Sequence, residues 1–273
     1  MRSLILWAVL VAIGVAVWAV TVRLEQAPSP ASLFPSGELV DLSHAYDEQT
    51  IFWPTAAEGF RLHKDAEGVT AAGYYYAANS FSTAEHGGTH LDAPVHFAEG
   101  KQSVDQIPLE RFFGPAVVVD VTQQSEGSAD YQITVNDLGH AEAEQGAMTR
   151  DSIVLLRTGF SSRWPDAARY LGTAERGEAA VPKLHFPGLH PEAAKWLVAK
   201  GVRAVGIDTA SIDYGQSTLF ETHRILYAAN LPAFESLTAL ERLPLRGAFI
   251  VALPMKIARG TGAPLRAVAI LPR

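Results

Sequence analysis

Five short runs of apolar, largely β-branched residues limit what this chain can become. They are Ala116–Val121 (AVVVDV), Ser152–Arg157 (SIVLLR), Arg203–Ile207 (RAVGI), Ala248–Leu253 (AFIVAL) and Leu265–Leu271 (LRAVAIL). Runs this short and this continuously apolar suit strands covered on both faces rather than half-wet strands or amphipathic helices. Helical segments lie between them. Pro191–Lys200 has proline in its first turn, an apolar stripe and Gly201 as terminator. Thr134-Val135-Asn136-Asp137 has the form of a capping box, with Asp in the usual Glu position, opening a helix towards Gln145. Arg169 to Pro182 is small, charged and punctuated by glycine, and reads as a surface excursion. The class is α/β, a mixed sheet with flanking helices. With 273 residues, 48% of them hydrophobic, the chain can bury a sizeable core.

The N-terminus has a different character. Leu4 to Val22 is uncharged (LILWAVLVAIGVAVWAVTV), with Arg2 before it and Arg23 after. Spanning a bilayer takes about 20 apolar residues. Residues 1–23 are therefore expected to be a transmembrane anchor, or a signal segment cleaved after Val17-Trp18-Ala19. Residues 24–37, with Pro28, Pro30 and Pro35, read as a linker, and residues 38–273 as the soluble domain. Arg2 would stay inside, so either form leaves that domain outside the cytoplasm, anchored or exported. The net charge of −7 is spread along the chain, which argues against a nucleic-acid partner. There is no cysteine, so any transition metal must sit on His, Asp and Glu.

Residues 86–97 read HGGTHLDAPVHF. His86, His90, Asp92 and His96 all fall at even positions, and in an extended chain even spacing puts side chains on one face. His90 and Asp92 are then about 7 Å apart at Cα, close enough to share an ion. Gly87-Gly88 opposes a helix between His86 and His90, and Pro94 bends the chain before His96. A polar loop whose histidines merely satisfy backbone groups is the plain alternative. Four ligand types with two glycines for close approach favour a metal. Phe220–Leu237 adds His223 and Glu235 in apolar surroundings, and spacing alone leaves them open as a core histidine and a surface carboxylate. Trp53 can stack on an aryl substrate or simply pack on Pro54, with Phe52, Phe81 and Phe97 adding to an aromatic wall. Asp208 and Ser211 follow a strand at its carboxyl end and are expected to orient the ligands by hydrogen bonds.

The pattern H-x-G-T-H-x-D-x-P-x-H resembles the signature of the cyclase-like metal hydrolases, typified by bacterial kynurenine formamidase and including the isatin hydrolases. His86, Gly88, Thr89, His90, Asp92, Pro94 and His96 match it position by position. Asp41-Leu42-Ser43, Phe52-Trp53-Pro54, Arg157-Thr158-Gly159 and the stretch Gly206 to Asp213 also look like family segments, as does the His223 to Glu235 pair. The resemblance implies a swivelling β/β/α domain and a homo-oligomer. It implies one metal on His86, His90 and Asp92, a second on Asp92, His223 and Glu235, and His96 as the proton-transfer residue. Zinc is the expected ion and manganese the alternative, as one or two ions, because a His/carboxylate set suits both. The leading expectation is hydrolysis of an amide C–N bond, as in an arylformamidase acting on an N-formylkynurenine type of substrate. Lactam or lactone ring opening keeps the same site. A third expectation is an exported binding module without turnover, which His96 argues against.

Overall fold

The apolar runs become neighbours in one sheet. The computed structural model describes residues 35–272. Their strands are β1 (Gly37–Asp41), β2 (Arg61–Val69), β3 (Tyr75–Ser82), β4 (His90–Asp92), β5 (Phe113–Asp120) and β6 (Gln132–Ile133). They continue as β7 (Ile153–Arg157), β8 (Gly188–Leu189), β9 (Ala204–Ile207), β10 (Ala233–Glu235), β11 (Arg246–Pro254) and β12 (Gly262–Pro272). The main sheet runs β1-β12-β11-β5-β7-β9-β10-β4, and β4 pairs again with β12, so the sheet closes on itself. The length of β12 makes this possible. Its start, Gly262–Pro264, pairs with β4, while Val268–Pro272 pairs with β1. Within this sheet β5, β7, β9 and β10 are parallel and the other pairings antiparallel. The expected mixed α/β class holds.

Side-chain alternation explains why the runs carry so few polar positions. Ala116, Val118, Ile153 and Leu155 point to one side, where they meet Val40, Leu91, Phe234 and Ala267. Val117, Val119, Val154 and Leu156 point to the other, against Leu138, Leu197, Leu226 and Tyr227 from the helices. Neither face meets water along Ala116–Val119, Ile153–Leu156 and Ala204–Ile207, whereas β11 and β12 alternate and leave Leu253 and Arg266 exposed. The helix Pro191–Lys200 ends at Gly201 in the left-handed region. The helix Val135–Gln145 opens on the expected box: the Asp137 amide donates to Thr134 Oγ1 at 3.3 Å, and the Thr134 amide to Asp137 Oδ2 at 2.7 Å.

Two expectations need correction. The stretch Arg169 to Pro182 is not simply surface. It contributes to the helix Ala167–Leu171, and Tyr170 and Leu171 are buried with Phe160, Leu184 and Phe186. The Tyr170 hydroxyl earns this burial by donating to Asp208 O at 3.2 Å and lying 3.1 Å from Ser236 Oγ. The membrane-anchored or exported placement is also corrected. The segment expected to carry it, residues 1–23, lies outside the described residues. Among the described residues no helix is long and apolar enough to cross a membrane. The longest α-helix there has 11 residues, against the roughly 20 that a span requires.

Candidate metal centre

Strand β4 sets the geometry. His90 and Asp92 are two residues apart and share a face. Strand β10 pairs antiparallel with β4 and puts Glu235 directly opposite His90. The helix Glu221–Ala228, just before β10, supplies His223 and, one turn later, Tyr227. His86 and His96 come in from the bends on either side of β4. Gly88 makes the first bend possible: its φ is +56°, and a Cβ there would sit 2.9 Å from the Tyr46 ring. Pro94–His96 forms a single 3-10 turn.

The side chains converge on Asp92. Its Oδ1 lies 2.7 Å from His86 Nδ1 and 3.1 Å from His90 Nε2, and its Oδ2 lies 3.3 Å from His223 Nε2. Glu235 approaches both His90 Nε2 and His223 Nε2 at 3.5 Å. His90, Asp92, His223 and Glu235 are each at most 3% exposed, so their charges must be balanced locally. His90, Asp92 and Glu235 offer ligand atoms within 4.8 Å of one another, and so do His86, Asp92 and His96.

Hydrogen bonding tests whether this set fits a cation. His90 Nδ1 lies 3.0 Å from Gly88 O, which only accepts, so Nδ1 carries the proton and Nε2 presents a lone pair. His223 Nδ1 is bonded at 2.5 Å to Asp213, which leaves its Nε2 in the same state. Neutral imidazoles therefore turn bare nitrogens towards two carboxylates, an arrangement that is repulsive without positive charge between them. Protons are one source of that charge. Although burial opposes it, Asp213, Asp92 and Glu235 hold His223 well above its usual pKa, and Asp92 and Glu235 raise His90. Burial alone would push Asp92 up, but the charge on His86 and the hydrogen bonds from His223, His86 and His90 keep it well below the carboxylate range. Burial and the neighbouring Asp92 push Glu235 up. A divalent cation supplies the same charge while leaving the imidazoles neutral, and the donor set fits one.

His96 differs from the other three. Its ring stacks on His86 at 3.8 Å, but neither ring nitrogen makes a hydrogen bond to a described residue. Burial lowers its pKa to about 4, against the pull of Asp92. It stands as a neutral, unpinned imidazole beside three histidines whose outer nitrogens are all occupied.

Above the cluster opens a cavity of about 320 Å³, lined by Ile51, Phe52, Trp53, Phe97, Phe220 and Ser211 among others. Trp53 meets Phe220 edge-on at 6.2 Å, and Phe97 lies 5.1 Å from Phe220. Phe81 is not part of this wall. It lies half-exposed on the β2–β3 hairpin. Asp208 does not reach the side chains that converge on Asp92 either. Its carboxylate accepts from the amides of Thr158 and Gly159 and from Thr158 Oγ1, and so fixes the turn after β7.

The chain's sequence matches, over residues 40–214, the model of the family described as putative cyclase. The chain belongs to that family. This cyclase-family protein is 33% identical over 220 residues to an isatin hydrolase of Roseibium aggregatum, covering 78% of this chain and 81% of that one. It is 31% identical over 239 residues to a kynurenine formamidase of Salinibacter ruber, covering 84% and 96%. Its fold matches an isatin hydrolase solved with the product analogue thioisatinate, with a TM-score of 0.76 at 28% identity, covering 95% of this chain and 99% of that one. Isatin hydrolase A from Ralstonia solanacearum gives 0.76 at 35% identity, covering 86% and 92%.

Two residues of the cyclase-family site escape a reading of the sequence alone. Tyr227 donates to Asp92 Oδ2 at 2.8 Å, and its position four residues after His223 was the available signal. Asp213 takes both the ring and the backbone N–H of His223 and the N–H of Thr222. It therefore orients the ring and caps the helix that carries it. Asp213→Asn is expected to weaken metal retention about 10- to 100-fold, measured by competition with a chelator. Unchanged affinity would show that His223 needs no such anchor.

Proposed function

We propose that the protein hydrolyses the C–N bond of a compact, neutral aryl amide, with a lactam fused to an aromatic ring, of the isatin type, as the best-fitting substrate. Supporting this are the relatives, named isatin hydrolase and kynurenine formamidase, and the cavity. The observation that carries the choice is the lining, which holds aromatic and apolar side chains over the His/carboxylate floor and, among the described residues, no Lys or Arg. An amino-acid carboxylate would find no cationic side chain there. An open-chain aryl formamide is the second reading, supported by the formamidase relatives. Turnover of isatin-type lactams and aryl formamides by the purified chain tests the order: faster hydrolysis of a zwitterionic formamide would reverse it.

His86, His90, Asp92, His223 and Glu235 are the proposed ligands, with zinc as the resident ion and manganese as the alternative. An ion held by these residues would supply an acidified water and positive charge to polarise the substrate carbonyl. Hydrolysis joins the water oxygen to the carbonyl carbon, breaks the C–N bond and leaves its electron pair on nitrogen, which must take up a proton. His96, with both ring nitrogens unpinned, takes the proton released by the water and returns it to the leaving nitrogen. Ser211 and the aromatic side chains orient the ring. Trp53→Ala is expected to raise KM about 2- to 10-fold with little change in kcat, because the lost stacking serves substrate and transition state alike. An unchanged KM would leave Trp53 as packing only.

We also propose that a second copy of the chain covers the β2–β3 hairpin. One face of it carries Leu62 and Phe81 at one end, Val69 and Tyr75 at the other, and the Lys64–Glu67 pair between. A copy turned end for end would set apolar ends together and Lys64 against Glu67. Light scattering is expected to report a dimer; a monomer at all accessible concentrations would remove this proposal.

A further inference from the structure

His90 and His223 are pinned by groups that can only accept, a carbonyl and a carboxylate. His86 is held differently. Its Nε2 lies 2.9 Å from Thr261 Oγ1, a hydroxyl that can donate or accept. A hydroxyl alone does not decide which imidazole nitrogen carries the proton. Glu85 does. Its Oε2 lies 2.9 Å from the Thr261 amide, 3.3 Å from the Gly262 amide and 2.6 Å from Thr261 Oγ1. The two amides are obligate donors, so Oε2 is an acceptor, and the single hydroxyl proton of Thr261 points at it. Thr261 Oγ1 is then left only to accept, and His86 Nε2 must donate. The outer nitrogen of His86 is thereby kept protonated; Nδ1 donates to Asp92 Oδ1 at 2.7 Å, and it is this inner nitrogen that would be bared to an ion taking the place of its proton.

We infer that Glu85 is a positioning residue that sets the tautomer of His86 through Thr261, committing His86 Nδ1 to the metal. The relay is built into the start of β12. Gly262 pairs with Asp92, and an added Cβ at Gly262 would lie 2.4 Å from His86 Cε1. Thr261 is thus held against the ring by the same register that closes the sheet. Without Glu85, the Thr261 hydroxyl is free to turn and donate to Nε2, which would move the proton to Nδ1 and block the inner nitrogen.

The inference rests on the proposed role of His86 as a ligand, and the experiment separates the two. The full chain is stripped of metal and titrated with zinc alone, and the imidazole tautomers are read by ¹⁵N NMR. Glu85→Ala and Thr261→Val are expected to weaken zinc binding about 10- to 100-fold, as loss of an outer partner does elsewhere. Thr261→Ser keeps the hydroxyl and is expected to stay within about threefold of the parent. In Glu85→Ala the His86 signal should shift from the Nε2-protonated form towards a mixture. If Glu85 only clamps the loop, Glu85→Ala will lower the melting temperature but leave zinc affinity and tautomer unchanged, and the inference is overturned. His86→Ala is the control. If it binds zinc as tightly as the parent, the ligand role itself falls; if it loses zinc while Glu85→Ala does not, only the relay falls.

Discussion

Asp92→Asn is expected to cost the protein its metal and its turnover together while leaving it folded. One carboxylate faces His86, His90 and His223 within 3.3 Å and accepts from Tyr227 as well. A neutral amide of the same shape removes the charge that all three imidazoles share. The loss should exceed the roughly 10- to 100-fold that follows from deleting an outer partner, so metal is expected to be absent from the purified variant. Some stability should go as well. Against burial, His86, His223 and His90 hold the Asp92 carboxyl well below its usual range, so its charge favours the folded state at neutral pH, and the relief of repulsion on Glu235 offsets only part of that loss. Elemental analysis, turnover and a thermal melt of the stripped proteins check the three parts. A variant that keeps its metal would show that the other four proposed ligands suffice.

The second large effect belongs to His96→Ala, which should keep its metal and lose about 10²- to 10⁴-fold in kcat, the usual contribution of a positioned acid–base group. The expectation turns on a difference between imidazoles. His86, His90 and His223 each have an outer nitrogen committed to a partner, as metal-binding histidines ordinarily do. His96 has none, and keeps both nitrogens available for a proton in transit. Its distance would also permit a ligand role, since His86, Asp92 and His96 fall within reach of one ion. Loss of metal from His96→Ala in step with activity would establish that role instead.

Much of this was legible in the chain because its physics is local. Runs such as SIVLLR declare a strand buried on both faces. The even spacing of His90 and Asp92 declares a shared face, and Thr134 with Asp137 declares a helix start. What escaped depends on pairing between distant segments. Strands β4 and β10 have three residues each, too short to show a period, yet their register is what sets Glu235 opposite His90. Closure of the sheet through β12 leaves no local trace either. Within the stretch Gly206 to Asp213, sequence reasoning chose Asp208 and Ser211 as the orienting residues. The structure turns Asp208 towards Thr158 and gives the His223 ring to Asp213, because only the position of the following helix decides which carboxylate it meets. Phe81 has the composition of a pocket wall, and its strand carries it away from the pocket.

The most direct test is metal content measured against turnover on one preparation of the full chain. Bound zinc or manganese should be present as purified. Exhaustive chelation should abolish lactam hydrolysis, and the returned ion should restore it. Full turnover by protein shown to contain no metal would contradict the account at its root.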